Sequence, residues 1–359
     1  MKIAVIGAGN GGQAYAAYLS SKGHEVSVCE RDAEIVNKLR QIGTIRLEGQ
    51  LHCEGRPVLI TSEMSEAIKG AELIMVTTTA NAHKVLAKQM SPYLVDNQVV
   101  VLNPGRTGGA LEFKQVLREN GVNKRVYLAE AQTLVFACRV VETGLVNIIG
   151  VKDRVLLSAY PSSDTKYVLD KLSGVFDCFI EAANVLETSF ENYGAIFHPT
   201  VVLFNEAAIE RGNEFYFYRD MTPGLARLIE AVDNERLAVA NAYGINPISA
   251  SDWVAYAYEN IKGDTLCERM RNNPAYYEIL APKKIDCRQI TEDIPTGLVP
   301  ISEFGKVATV PTPLMDAIIT LCSELLQRDF RLEGRNLKNL GFEGCTPDEI
   351  IRKINNETA

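Results

Sequence analysis

The run Ile3-Ala4-Val5-Ile6-Gly7-Ala8-Gly9-Asn10-Gly11-Gly12 decides the fold. A short apolar strand, Ile3–Ile6, passes directly into G-x-G-x-x-G, with Gly7, Gly9 and Gly12 in the three glycine positions. Each glycine has its own task. The first permits the tight turn out of the strand, the second lets backbone approach a pyrophosphate, and the third lets the following helix pack close to the sheet. Free N–H groups and partial positive charge at the helix N-terminus then favour phosphate. The bare pattern also fits a glycine-rich turn that binds nothing. Its context, between a strand and an Ala-rich helix and ahead of a second strand ending in an acid, points to a dinucleotide.

Outward from this motif the first half alternates short β-branched runs with stretches of helical period, the pattern of βαβ units and a parallel sheet. Strands are expected at Ile3–Ile6, Glu25–Cys29, Leu73–Val76 and Val99–Leu102, and helices at Gly11–Lys22, Glu34–Gln41, Ala82–Leu94 and Ala110–Asn120. Thr44–Thr61 alternates apolar and polar residues and reads as a β-hairpin beside the sheet. Val126–Leu128, Val146–Gly150 and Val155–Ser158 read as further strands, and Ser163–Val175 as another helix. Beyond about Ala183 helical patterns dominate: Glu187–Arg211, Pro223–Ala242, Ser249–Ile261 and Leu314–Leu326. The expectation is therefore an α/β dinucleotide-binding domain over residues 1–183 and an all-α domain over 184–359.

Composition narrows the function. The 359 residues are 47% apolar and 23% charged, so wholesale disorder is excluded. A formal net charge of −8 argues against nucleic acid or an anionic membrane surface as partner. No apolar stretch reaches the ~18 residues of a spanning helix. The eight cysteines are scattered without metal-ligand spacing, so no metal site is expected, and the chain reads as cytoplasmic and reduced.

Around the glycines, Gly7, Gly9, Asn10, Gly11 and Gly12 form the expected phosphate loop. Glu30 stands where a carboxylate would accept hydrogen bonds from the adenosine ribose hydroxyls, which favours NAD. Its neighbour Arg31 admits NADP, because a guanidinium there pairs with a 2′-phosphate or stacks on adenine. Thr78, in Thr77-Thr78-Thr79, and Asn103 with Gly105, in Asn103-Pro104-Gly105, end two strands. Ligands of open α/β sheets lie beyond such carboxyl ends. Gly105-Arg106-Thr107-Gly108-Gly109 reads either as a second anion nest or as a flexible loop. His83 reads either as a cofactor or substrate contact or as a surface helix position.

Two segments of the second half carry candidate chemistry. His198, in Tyr193-Gly194-Ala195-Ile196-Phe197-His198-Pro199, lies among apolar neighbours beside a proline that removes a backbone donor and should bend the helix. A satisfied core histidine and a functional one both fit. Asn205, seven residues on, and Asn192, six residues back, extend a polar stripe on that helix. The second segment, Asp286-Cys287-Arg288-Gln289-Ile290-Thr291-Glu292-Asp293-Ile294-Pro295-Thr296-Gly297, sets an arginine and two acids within six residues of a Pro/Gly turn, as ligand loops and surface salt bridges both do.

At these residues the chain resembles the octopine/nopaline dehydrogenase family over nearly its whole length. The likeness includes the Gly-Asn-Gly-Gly fingerprint, Asn103-Pro104-Gly105 with Gly108–Phe113, His198-Pro199, Asn273-Pro274-Ala275-Tyr276, Arg288–Pro300 and Val310-Pro311-Thr312-Pro313-Leu314. The resemblance implies a Rossmann domain, a helical C-terminal domain and the NAD(P)H-dependent joining of an amino acid to a 2-oxo acid such as pyruvate. It further implies catalytic roles for His198, Asp293 and Arg288, with Arg288 on the substrate, and a homodimer as the expected assembly; Asn205, on the polar stripe, is the further substrate-binding candidate. An imidazole beside an ionised carboxylate gives or takes a proton near neutral pH. A guanidinium fork holds and aims a carboxylate. Two other readings share the Rossmann half: a 2-hydroxyacid, glycerol-3-phosphate or ketopantoate type of dehydrogenase, and a sensor of nicotinamide nucleotides without turnover.

Overall fold

Strand–helix alternation in the first half produces a central eight-stranded sheet in the computed structural model, which describes residues 1–257 and 261–356. The strands are β1 (Lys2–Ile6), β2 (Glu25–Cys29), β3 (Ile45–Gly49), β4 (Cys53–Gly55), β5 (Leu59–Thr61), β6 (Leu73–Val76), β7 (Val99–Leu102), β8 (Tyr127–Ala131), β9 (Phe136–Glu142), β10 (Leu145–Val151), β11 (Val155–Tyr160) and β12 (Phe179–Glu181). Their order in the main sheet is β12-β11-β8-β7-β6-β1-β2-β5. The run from β5 to β8 is parallel, while β11 pairs antiparallel with β8. β6 and β7 are buried at every residue, as expected of central parallel strands covered on both faces.

A second sheet, β4-β3-β10-β9, accounts for what the sequence reading joined or missed. The expected hairpin over Thr44–Thr61 is β3 paired antiparallel with β4, but its last segment, β5, leaves to pair with β2 at the edge of the main sheet. β9 was not expected. It is an outer strand with alternating exposure and polar residues at Arg139 and Glu142, so it lacks the apolar density of a core strand. The helix Asn10–Ser21 packs against strands of both sheets. Its small residues Ala14, Ala16 and Ala17 are buried, and a Cβ on Gly55 of β4 would stand 2.7 Å from Ala17 Cα.

Two compact units divide the chain: Met1–Thr188 together with the end of the chain from Arg352, and Ser189–Ile351. The division falls five residues after the expected one. The last helix, Pro347–Asn356, returns its end to the first unit, where Ser162 Oγ donates to the Asn355 carbonyl at 3.3 Å and Ile354 is buried.

In the second unit helices run over Tyr193–Leu203, Pro223–Ala242, Val299–Val307 and Pro313–Leu326, with shorter turns between them. The helix expected over Glu187–Arg211 is three pieces, Val185–Phe190, Tyr193–Leu203 and Glu206–Glu210. Breaks occur at Asn192 and Asn205, residues that favour helix ends. The helix Tyr193–Leu203 continues through Pro199 rather than ending there. Of the helix expected over Ser249–Ile261, Ala250–Ala257 is observed and 258–260 lie outside the described residues. Buried Arg236 ties the unit together: it meets Asp233 at 2.7 Å and donates to the carbonyls of Phe190 and Ile248 at 2.6 and 2.8 Å. That network is a satisfied buried ion pair, which holds geometry as much as it stabilises.

Candidate active site

In the first unit the glycines sit where the motif requires them. Gly7 has φ +98°, and a Cβ there would stand 2.8 Å from Thr78 Cγ2. A Cβ on Gly12 would lie 2.7 Å from the Gly7 carbonyl carbon, and closer still to its oxygen. Gly9 is the contrary case, with nothing within 4 Å of the position a Cβ would take. Thus Gly7 and Gly12 are required by the protein itself, whereas Gly9 keeps open a space that the protein does not fill.

Neighbouring side chains fix the shape of this loop. Glu30 Oε2 accepts from Ala8 N–H at 2.7 Å and Oε1 from Asp32 N–H at 3.1 Å, which pins the end of β2 to the glycines. Buried Gln13 donates to the Ala8 carbonyl at 2.8 Å and accepts from Gly144 N–H at 2.9 Å. Asn10 turns its side-chain oxygen to Val140 N–H of β9 at 2.8 Å. Thr77 Oγ1 donates to the Ile6 carbonyl at 3.0 Å, while Thr78 Oγ1 is buried without a partner among the described residues. An open approach at Gly9, a half-buried carboxylate at the end of β2 and this orphaned hydroxyl together fit a dinucleotide; Arg31 is exposed beside them.

Three other expected positions are placed differently from one another. Asn103 is fully buried, and its amide accepts from Tyr15 OH at 3.3 Å and donates to the Val101 carbonyl at 2.9 Å, so it braces the loop from inside. A Cβ on Gly105 would stand 2.5 Å from Glu130 Oε2. That buried carboxylate accepts from Ala110 N–H at 2.7 Å, at the N-terminus of the helix Gly109–Glu119, and from Thr188 Oγ1 at 2.6 Å. The helix N-terminus that follows Gly105–Gly109 is thus already met by the chain's own carboxylate. His83 is wholly buried, which removes the surface reading.

The second unit builds its site on close backbone contact. Ile294–Leu298 is a π-helical turn, with Leu298 N–H bonded to the Asp293 carbonyl at 3.1 Å. Such turns re-aim side chains and recur at functional sites. A Cβ on Gly297 would collide with Ala195 Cβ and lie 3.2 Å from Asn192 Nδ2, so glycine lets the turn press against the helix Tyr193–Leu203. Asp293, 0% exposed, thereby reaches His198, 18% exposed, with Oδ2 to Nδ1 at 2.8 Å. His198 Nε2 meets Tyr218 OH at 3.0 Å. Phe217 stands edge-on to the imidazole at 5.9 Å between centroids, and Tyr276 stacks on Tyr218 at 4.6 Å.

Arg288 begins the short helix Arg288–Thr291, and its side chain is 56% exposed. Its Nε lies 3.5 Å from Oε2 of Glu292, which is 2% exposed, one helical turn on. Asn205 donates to the Val201 carbonyl of its own helix at 2.9 Å and serves as that helix's exit.

Against known proteins, residues 181–326 match the family described as "NAD/NADP octopine/nopaline dehydrogenase, alpha-helical domain". Residues 2–129 match "NAD-dependent glycerol-3-phosphate dehydrogenase N-terminus". The opine dehydrogenase of Arthrobacter sp. (strain 1C) is 39% identical over 345 residues, covering 96% of each chain. The chain belongs to the opine dehydrogenase family. Octopine dehydrogenase of Mizuhopecten yessoensis is 27% identical, with 93% of this chain and 92% of that protein aligned. Among solved structures, an octopine dehydrogenase in complex with NADH and agmatine superposes over all of both chains with a TM-score of 0.82 at 24% identity. A ketopantoate reductase from Ralstonia eutropha JMP134 gives 0.62 at 19% identity, a likeness of fold.

Family membership makes the chain an NAD(P)-dependent oxidoreductase, in keeping with the glycine loop. Tyr218 was not anticipated, because Phe215-Tyr216-Phe217-Tyr218 reads as aromatic packing; nor was Glu130, a lone acid in a strand. Among the described residues no group of three or more His, Cys, Asp or Glu side chains could hold a metal, and no helix is long and apolar enough to cross a membrane.

Proposed function

We propose that this opine dehydrogenase joins the amino group of an L-amino acid to a 2-oxo acid such as pyruvate, and runs the reverse oxidation, with His198 and Asp293 as its acid–base pair. The observation that carries the site assignment is the 2.8 Å contact between His198 Nδ1 and buried Asp293, held by a π-helical turn. A carboxylate on Nδ1 keeps that nitrogen protonated and leaves Nε2 to exchange the reacting proton. It also stabilises the imidazolium that forms when His198 takes a proton from the amine or holds one for the departing water.

Arg288, exposed and contacted through Nε, would offer its Nη donors to a substrate carboxylate; two parallel N–H···O bonds would fix the oxo acid's orientation. Asn205 is the lesser substrate contact, through the amide oxygen that its helix does not use. Gly7, Gly9, Gly11 and Gly12 with the Asn10 backbone would hold the pyrophosphate of NAD, Glu30 the ribose hydroxyls and Thr78 the phosphate side. Asn103, Gly105 and His83 shape the surrounding loops. Arg31 leaves NADP admissible. When bound, the cofactor supplies the hydride. We place the enzyme in the cytoplasm as a homodimer, in line with eight free thiols and the prevalence of twofold assemblies.

Turnover tests the site. His198→Ala and Asp293→Ala are each expected to lower kcat by about 10²–10⁴-fold while NADH affinity, read by fluorescence, stays within threefold. A near wild-type rate in either variant removes the pair from the mechanism.

A further inference from the structure

An imidazole nitrogen has one in-plane direction for a hydrogen bond. On His198 both directions are taken, Nδ1 by Asp293 at 2.8 Å and Nε2 by the Tyr218 hydroxyl at 3.0 Å. The nitrogen that must exchange the reacting proton therefore faces a phenol. Tyr218 is buried, and its ring is held by stacking on Tyr276 (centroids 4.6 Å apart, planes at 27°) and by edge contacts with Phe217 at 4.8 Å and Phe197 at 6.4 Å. A ring clamped on these sides keeps its hydroxyl on the His198 axis.

We infer that Tyr218 is a further catalytic residue, the relay through which His198 exchanges its proton with substrate. The inference rests on His198 being the acid–base group proposed above. In the dehydrating step the C–O bond of the carbinolamine breaks, its electron pair leaving on oxygen, while the nitrogen lone pair forms C=N. The Tyr218 proton goes to the departing oxygen and completes a water molecule. Simultaneously the Nε2–H bond of the imidazolium breaks and its proton restores the Tyr218 hydroxyl. The phenol ends unchanged and His198 ends neutral, so two hydrogen bonds shift and one proton is delivered.

The test is Tyr218→Phe, which keeps the ring, alone and combined with His198→Ala. Expected for the single variant are an unchanged melting temperature, unchanged NADH affinity and a loss of kcat of about 10²-fold or more. In the His198→Ala background the same substitution should cost less than threefold, because a relay has nothing to carry. A Tyr218→Phe enzyme within threefold of wild-type kcat overturns the relay, as does a full additional loss in the double variant. A wild-type rate for His198→Ala alone would instead sink the acid–base reading itself. As a variant that retains the hydroxyl, 3-fluorotyrosine at position 218 acidifies the phenol, and the alkaline fall of kcat should move to lower pH. A limb that stays in place also overturns the relay.

Discussion

Replacing Gly9 and Gly12 separately by alanine distinguishes a glycine required by the cofactor from one required by the protein. At Gly12 the new Cβ would stand 2.7 Å from the Gly7 carbonyl carbon and 2.9 Å from Thr77 Oγ1, where ordinary contacts begin at 3.4 Å. Most of what it meets is backbone, so the strand–helix turn must move by more than half an ångström. Overpacking of this kind costs ~1–3 kcal/mol or more. In a unit of this size that lowers the melting temperature by ~3–10 °C. At Gly9, φ is −73° and nothing lies within 4 Å, so alanine is sterically admissible. A weaker N-cap offsets the gain from a less flexible unfolded chain, each effect being under ~1 kcal/mol. Gly9→Ala should therefore melt within about 3 °C of wild type yet lose NADH affinity by about tenfold or more, since the methyl enters the space left for pyrophosphate. Thermal melts and fluorescence titration read the two quantities independently. A Gly9→Ala protein that binds NADH normally would refute the placement of the cofactor at this loop; a Gly12→Ala protein that melts normally would refute the packing argument.

Further expectations follow from other parts of the site. Arg288→Ala should raise the apparent KM for the oxo acid by about 10–100-fold, the loss of a charge-assisted bond, with kcat less affected; an unchanged KM removes Arg288 from the substrate. Glu30→Ala should loosen the preference for NAD over NADP, and equal discrimination before and after would dismiss that role. Lys152, half-buried with Nζ on Thr133 Oγ1 at 2.6 Å, is pushed by burial, then by Arg106, from an ordinary 10.5 down to about 8. The unfolded chain therefore binds the extra proton between about 8 and 10.5, and stability rises with pH across that window. Below it the full cost, up to ~3 kcal/mol, is present. Lys152→Met should accordingly melt higher than wild type at pH 7 and lose that advantage near pH 10; a constant difference contradicts the assignment.

Legibility in the sequence followed burial. β1, β6 and β7 are apolar at nearly every position because helices or sheet cover both faces, and their runs stand out. β9 does not, because an outer strand needs only alternate apolar residues and here carries charges besides. Function behaved likewise. Gly7, Gly9 and Gly12 announce themselves through spacing alone, since backbone geometry at a turn is local. The contact of His198 with Asp293 spans 95 residues and depends on a π-turn and on Gly297 meeting Ala195, none of which periodicity encodes. Family likeness paired those two residues; it did not point to Tyr218. Asn10 and Asn103 are instructive in the opposite sense. Both stand in ligand-like motifs, and both turn their side chains to the protein's own backbone.

The most direct test of the whole account is product identity. Purified enzyme with NADH, pyruvate and a ¹⁵N-labelled pool of L-amino acids, analysed by mass spectrometry, should yield a secondary amine that carries the label and the mass of amine plus oxo acid plus two hydrogens less one water. An unlabelled 2-hydroxy acid formed at the same rate with or without the amine would contradict it.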